Sequence, residues 1–143
     1  MEKILKKIKS FIPTALFKAL QPLYHYVLAW VGAIRYGFPS RQLYVIGVTG
    51  TKGKTSTIEL IAAILKEAGH KVAFASTHYV GIDGHTEKNL TTRSMLGRTL
   101  LQRFLRRAVD AKCTYAVIEM TSEGAVQFRH ACIDLDALIF TNL

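Results

Sequence analysis

Gly47-Val48-Thr49-Gly50-Thr51-Lys52-Gly53-Lys54-Thr55-Ser56 has the residue types of a loop that grips phosphate. Gly50 and Gly53 let the backbone turn tightly and aim its N–H groups inward. Lys54 has the reach to contact the β- and γ-phosphates of a nucleotide. Thr55 offers a hydroxyl where Mg²⁺ bridges those phosphates. A helix starting near Lys54 adds the positive end of its dipole. Lys52 either touches phosphate or is solvated. The general pattern G-x-x-x-x-G-K-[ST] asks for Gly at position 48, where this chain has Val48, so only its second half matches. The plainer alternative is a Gly-rich turn with an incidental lysine.

A second chemical position is Glu119, at the end of the apolar run Tyr115–Met120. A carboxylate at the carboxyl end of a parallel strand can hold Mg²⁺ directly or through water. Pairing with a neighbouring Arg or Lys is the alternative. Thr121 and Ser122 follow, and they either serve metal or substrate or cap the next helix. Asn142 ends a later strand. It contacts nucleotide or an ordered water, or it forms a turn.

The elements that must position these residues are legible. Leu43–Val48 is a short apolar, β-branched run and reads as a buried strand. Ile58, Ile61, Ala62 and Leu65 recur at helical spacing up to Gly69, a C-cap. Lys71–Ser76 is a second strand, and residues 77–93 are a loop or small hairpin. Leu96, Leu100, Phe104 and Ala108 line a second helix, with Arg98, Arg103, Arg106 and Arg107 on its other side. Tyr115–Met120 is a third strand, Gly124–His130 a short helix and Leu135–Thr141 a fourth strand. Alternating strands and helices predict an α/β fold: a phosphate-loop parallel sheet with helices on both faces.

Gly37-Phe38-Pro39-Ser40 punctuates the chain. We expect residues 1–40 to form an N-terminal helical segment and residues 41–143 the main domain. Ile4, Leu5, Ile8 and Ile12 fall on one helical face, with lysines mostly on the other. That pattern fits a helix packed on the domain. The second reading is peripheral contact of residues 1–38 with an anionic membrane. Pro13, Lys18, Pro22 and His25 interrupt the apolar stretch, and Val27–Ile34 is too short to span a bilayer.

The 143 residues carry 19 Lys and Arg against 10 Asp and Glu, a formal charge of +9. Such a surface attracts anions without choosing among them. No aromatic–basic stacking face suggests nucleic acid. Cys113 and Cys132 fit no zinc spacing and are too few for a disulfide scaffold, so a reduced, cytoplasmic protein is expected. Cys113 reads as a small core residue.

Residues 43–143 resemble the central domain of the Mur ligases. Val48–Ser56 is similar to that family's T-G-T-x-G-K-T-[ST] loop, which accounts for Val48. Val117-Ile118-Glu119-Met120-Thr121-Ser122 is similar to its E-x-S-S strand end, with Gln127 and Arg129 where an x-Q-x-R tail is common. Phe140-Thr141-Asn142-Leu143 is similar to its T-N-L segment. Within the family, Asn89–Arg93 and Leu101-Gln102 look like the substrate segment of the ligase that adds the third peptide residue, without its proline.

The resemblance implies ATP and Mg²⁺ as cofactors, held by Thr49 to Ser56 and Asn142, with Thr55 and Glu119 on the metal and Lys54 and Glu119 catalytic. It implies activation of a UDP-N-acetylmuramoyl-peptide carboxylate as an acyl phosphate, followed by attack of an amino acid amine. Glu123 stands where the family commonly has His. The family's uridine-nucleotide domain is not recognisable in residues 1–38, and its Asp-His segment, modified lysine and C-terminal domain are not in the chain. The chain therefore reads as the ATP-binding portion of a ligase. A non-catalytic or regulatory nucleotide-binding module, or a relative of the folylpolyglutamate and cyanophycin synthetases, is the alternative.

Overall fold

The structure, a computed structural model, describes residues 14–91 and 94–142, with the side chains of residues 14–20 left aside. The amphipathic face expected at Ile4, Leu5, Ile8 and Ile12 lies outside the described residues.

The first element, α1, is the helix Thr14–Tyr36, which continues through Pro22. Proline costs a helix one backbone hydrogen bond without forbidding it where packing compensates. Ala29 and Ala33 are fully buried, and Gly32 lies close to the backbone of Thr99. These small side chains let α1 lie tightly against the later helix Arg98–Asp110. Gly37 (φ 68°) ends α1 in the left-handed region, and the Phe38 amide donates to Ala33 O at 2.9 Å. This is a Schellman closure. A 3-10 turn, Pro39–Gln42, then leads into the sheet.

Strand β1 is Tyr44–Thr49 and helix α2 is Lys54–Glu67. Gly69 (φ 85°) closes α2 as expected, with the His70 amide donating to Leu65 O at 3.0 Å. Strand β2, Val72–Ala75, is followed by β3, Tyr79–Ile82, and β4, His85–Lys88. Helix α3 is Arg98–Asp110, β5 is Tyr115–Glu119, α4 is Ser122–Val126 and β6 is Ala137–Phe140.

The strands form one sheet in the order β4-β3-β2-β5-β1-β6. The four strands β2, β5, β1 and β6 are parallel, as expected. Residues 77–93 take the hairpin option and add β3 and β4 antiparallel at one edge, which makes the sheet mixed. Asp83 (φ 48°) and Gly84 (φ 88°) form the two-residue turn with both φ positive, the geometry that Asp-Gly favours.

Alternation along the strands sends side chains to opposite faces. Val45, Ala73, Ala116 and Ile118 pack with Leu101, Phe104, Leu105 and Ala108 of α3. Ile46, Val48, Val72 and Val117 pack with Ile58 and Ala62 of α2. Cys113 is buried in the first of these clusters, as expected of a small core residue, and both cysteines are free thiols. Burial pushes the Cys113 thiol pKa up, with the nearby Asp83 carboxylate adding to it.

The short helix begins earlier than the expected Gly124–His130. Thr121 Oγ1 accepts from the Gly124 amide at 3.0 Å and so starts α4 at Ser122. Phe128 (φ 53°) lies in the left-handed region just beyond it, which no helix can pass through.

Candidate nucleotide site

Parallel sheets bind ligands beyond the carboxyl ends of their strands. Here those ends come from β1, β2, β5 and β6. The register pairs Val48 with Glu119 and Thr49 with Phe140. The loop after β1, the carboxylate of β5 and the tail of β6 therefore converge.

Gly50 has φ 138°, and a Cβ there would collide with Thr141 Oγ1. Gly53 (φ 81°) is the N-cap of α2 and brings no side-chain acceptor. The first-turn amides of a helix have no partner within it, so at Gly53 they remain available to an anion. Lys54 folds back and donates from Nζ to Gly50 O at 2.8 Å. The same Nζ is 3.8 Å from Glu119 Oε1. The Glu119 side chain is 2% exposed and that of Lys54 15%. A carboxylate buried to that degree needs compensation. Lys54 supplies charge, and Thr77 supplies two hydrogen bonds to Oε2, from its amide at 2.7 Å and its hydroxyl at 2.8 Å.

Thr77 was not singled out by its residue type. Its position gives it away: it follows β2, which pairs with β5 so that Ala75 lies beside Ile118. Thr77, two residues past the end of β2, brings both its amide and its hydroxyl to Glu119.

Asn142 faces the phosphate loop. Its Oδ1 accepts from the Thr51 amide and hydroxyl, each at 2.8 Å, and from the Lys52 amide at 3.3 Å. Its Nδ2 donates to Lys52 O at 3.2 Å. Thr141 donates from Oγ1 to Lys52 O at 2.7 Å. Both residues hold the loop's outer turn, and the Lys52 side chain is exposed with the rest of that residue.

Other expected positions fall elsewhere. Thr121 caps α4. Glu123 is exposed, accepts from Gln127 Nε2 at 2.9 Å and lies 3.6 Å from Arg129. Arg129 is buried and donates from Nη1 to Met95 O at 2.9 Å, tying the segment before α3 to the loop after α4. Asn89 donates to Ser76 O at 2.9 Å and accepts from the Thr91 amide and hydroxyl, while Thr92 and Arg93 lie outside the described residues. Leu101 and Gln102 are buried, and Gln102 donates to Cys132 O at 3.1 Å. That places both in the packing of α3.

The donor set suits a magnesium nucleotide. It combines main-chain amides at a helix start, one ammonium group, the hydroxyl of Thr55 and one buried carboxylate. Among the described residues no cluster of three or more His, Cys, Asp or Glu could hold a metal alone. This accords with Mg²⁺, which is held by one or two protein oxygens together with phosphates and water.

Residues 48–143 match the family described as the Mur ligase middle domain. The chain is 39% identical over 118 residues to the UDP-N-acetylmuramoyl-L-alanyl-D-glutamate–2,6-diaminopimelate ligase of Syntrophomonas wolfei, covering 81% of this chain and 23% of that protein. It is 42% identical over 94 residues to the UDP-N-acetylmuramyl-tripeptide synthetase of Treponema denticola, covering 66% of this chain and 18% of that protein. A solved structure of a UDP-N-acetylmuramoyl-L-alanyl-D-glutamate–2,6-diaminopimelate ligase superposes with a TM-score of 0.61 at 33% identity, over 71% of this chain and 20% of that one. The chain thus spans about a fifth of the length of the relatives it matches. A glycine-rich loop after β1, a buried strand-end carboxylate and a sequence match through both place this chain in the Mur ligase family, by way of its middle domain.

Proposed function

We propose that this chain is the ATP-binding portion of an ATP-dependent amide ligase of peptidoglycan precursor synthesis. Residues 41–143 form the nucleotide-binding unit, and residues 1–40 precede it, with α1 packed on α3. The reading rests foremost on one observation: Lys54, at the start of α2, stands 3.8 Å from the buried Glu119 carboxylate.

The amides from Gly53 to Ser56, at the start of α2, and the Lys54 ammonium bind the phosphates and offset charge on the transferring phosphoryl group. Thr55 and Glu119 hold Mg²⁺, which supplies further charge neutralisation. Asn142 holds the loop's outer turn at Thr51 and Lys52, and Thr141 ties Thr49 O to β6, so that Thr49 and Asn142 stand beside the bound nucleotide. The acyl substrate is a UDP-N-acetylmuramoyl-peptide whose carboxylate takes the γ-phosphoryl group. An amino acid amine then displaces phosphate and forms the amide. The setting is cytoplasmic, where both thiols stay reduced.

The test is calorimetric titration of the chain with Mg-ATP. Saturable binding that disappears in Lys54→Ala, with an unchanged circular dichroism spectrum, supports the reading. Equal affinity in that variant removes the loop from the site. The 143-residue chain binds nucleotide without forming amide, and ligation by it alone would refute the division of labour proposed here.

A further inference from the structure

We propose that the outward side of α1 is a docking surface for an anionic lipid bilayer, with the helix lying in the plane of the headgroups. This goes beyond the ligase reading and does not depend on nucleotide chemistry.

Ala29, Gly32 and Ala33 occupy the side of α1 turned to the protein. Leu23, Val27, Trp30, Val31 and Ile34 lie on the opposite side, and all five are exposed. Their spacing of three and four residues makes one continuous stripe. From Leu23 to Ile34 it runs roughly 17 Å at 1.5 Å per residue. An apolar stripe of that size open to water marks a surface that is covered in use.

The charge of this stretch of sequence selects the cover. Between Lys3 and Leu43 the sequence has seven Lys and Arg residues and no Asp or Glu. Arg35 is exposed beside Ile34. Trp30 meets Phe38 edge-on with centroids 5.7 Å apart, and the Arg41 guanidinium lies 4.6 Å from the Phe38 centroid. Arg41 also pairs with Asp134 at 3.3 Å, both exposed. An exposed apolar face in a sequence stretch rich in Lys and Arg and without acid, with a tryptophan at its edge, is the pattern of an interfacial helix on anionic lipid. No described helix is long and apolar enough to cross a membrane. The helix is held flat by α3, so it offers its side rather than its end.

The experiment uses the full 143-residue chain and vesicles of phosphatidylglycerol with phosphatidylcholine, or of phosphatidylcholine alone. Trp30 is the single tryptophan and reports directly. The expected result is roughly tenfold or greater preference for the anionic vesicles, lost at high salt. A blue shift of Trp30 emission and its quenching by brominated acyl chains should accompany binding. Val27→Glu with Val31→Glu removes all three signals, while Leu60→Glu, on the exposed side of α2, leaves them intact. Brominated lipid that fails to quench wild-type Trp30 overturns the proposal without any variant. So does ultracentrifugation showing that the stripe pairs two copies of the chain and that vesicles bind neither form.

Discussion

Thr77 holds Glu119 from two directions at once, with its amide at 2.7 Å and its hydroxyl at 2.8 Å from the same oxygen, Oε2. Oε2 is thereby committed. Oε1 faces the Lys54 ammonium at 3.8 Å, and in the proposed function it is the oxygen that would meet Mg²⁺. The threonine therefore decides which oxygen of a buried carboxylate is presented to the loop.

Replacing Thr77 with Val keeps the amide bond and the side-chain shape but removes the hydroxyl. Hydrogen bonds to a charged group are each worth about 1.5–3 kcal/mol. We expect Thr77→Val to lower stability by about 1–3 kcal/mol in urea denaturation and to weaken the Mg²⁺ dependence of nucleotide binding. An unchanged metal titration would confine Thr77 to a structural role. Glu119→Gln tests the same point from the other side: it should abolish the metal dependence while keeping both Thr77 contacts.

Asn142 serves the outer turn of the loop through three donors on one oxygen. Asn142→Ala leaves those donors to water, because the site is exposed, so its cost in global stability should stay near or below about 1 kcal/mol. The local effect should be larger. Hydrogen exchange at the Thr51 and Lys52 amides is expected to rise at least tenfold, read residue by residue by NMR. Protection that persists in the variant would show that the loop holds its shape without Asn142.

Gly50→Ala should be severe. Its φ of 138° is open to glycine and strained for alanine, and the added carbon would strike Thr141 Oγ1. We expect a loss of about 2–4 kcal/mol by denaturation together with loss of nucleotide binding. Gly97→Ala, with nothing near the added carbon and φ −65°, is the neutral comparison. Equal tolerance at both positions would contradict the loop geometry.

How much of this was legible in the sequence follows from the range of the interactions. The strand and helix around Gly47–Ser56 are written in local period and in glycine spacing. They appear where expected, with Gly69 closing the helix. The hairpin at residues 77–93 was open between two forms, because its outer strand His85–Lys88 is exposed throughout and carries no apolar alternation. The role of Thr77 is not legible locally. Its meeting with Glu119 spans 42 residues and depends on β2 lying beside β5, which the parallel sheet allows but local pattern does not state. Gln102 looked like part of a substrate segment by its neighbours in sequence. Its burial against the Cys132 carbonyl is a fact of packing that spacing alone does not reveal.

A pH dependence should arise at His25. Burial lowers the pKa of its imidazole, and the positive charges of Arg98 and Arg129 lower it further. Its Nε2 lies 3.3 Å from Gln21 Nε2. The folded state then binds fewer protons than the unfolded state just below the ordinary histidine value of 6.5. Stability must fall as pH drops through that value and recover as it rises above it. Thermal denaturation from pH 5 to 8 should show Tm climbing with pH, and His25→Gln should flatten the slope. A slope that survives in the variant would assign it to other groups.

Asp136 clasps Val45 from both sides: its carboxylate accepts the Val45 amide at 2.7 Å, and its own amide donates to Val45 O at 2.9 Å. This double latch sits at the foot of β6. Thr141, five residues on, is some 16 Å away at about 3.3 Å per residue. A slip of one residue there would turn every later side chain of the strand to the other face of the sheet, and Thr141 and Asn142 would no longer arrive beside Lys52. An aspartate at the bottom of the sheet thus helps to hold the loop at its top in shape, and a search confined to that loop would overlook it.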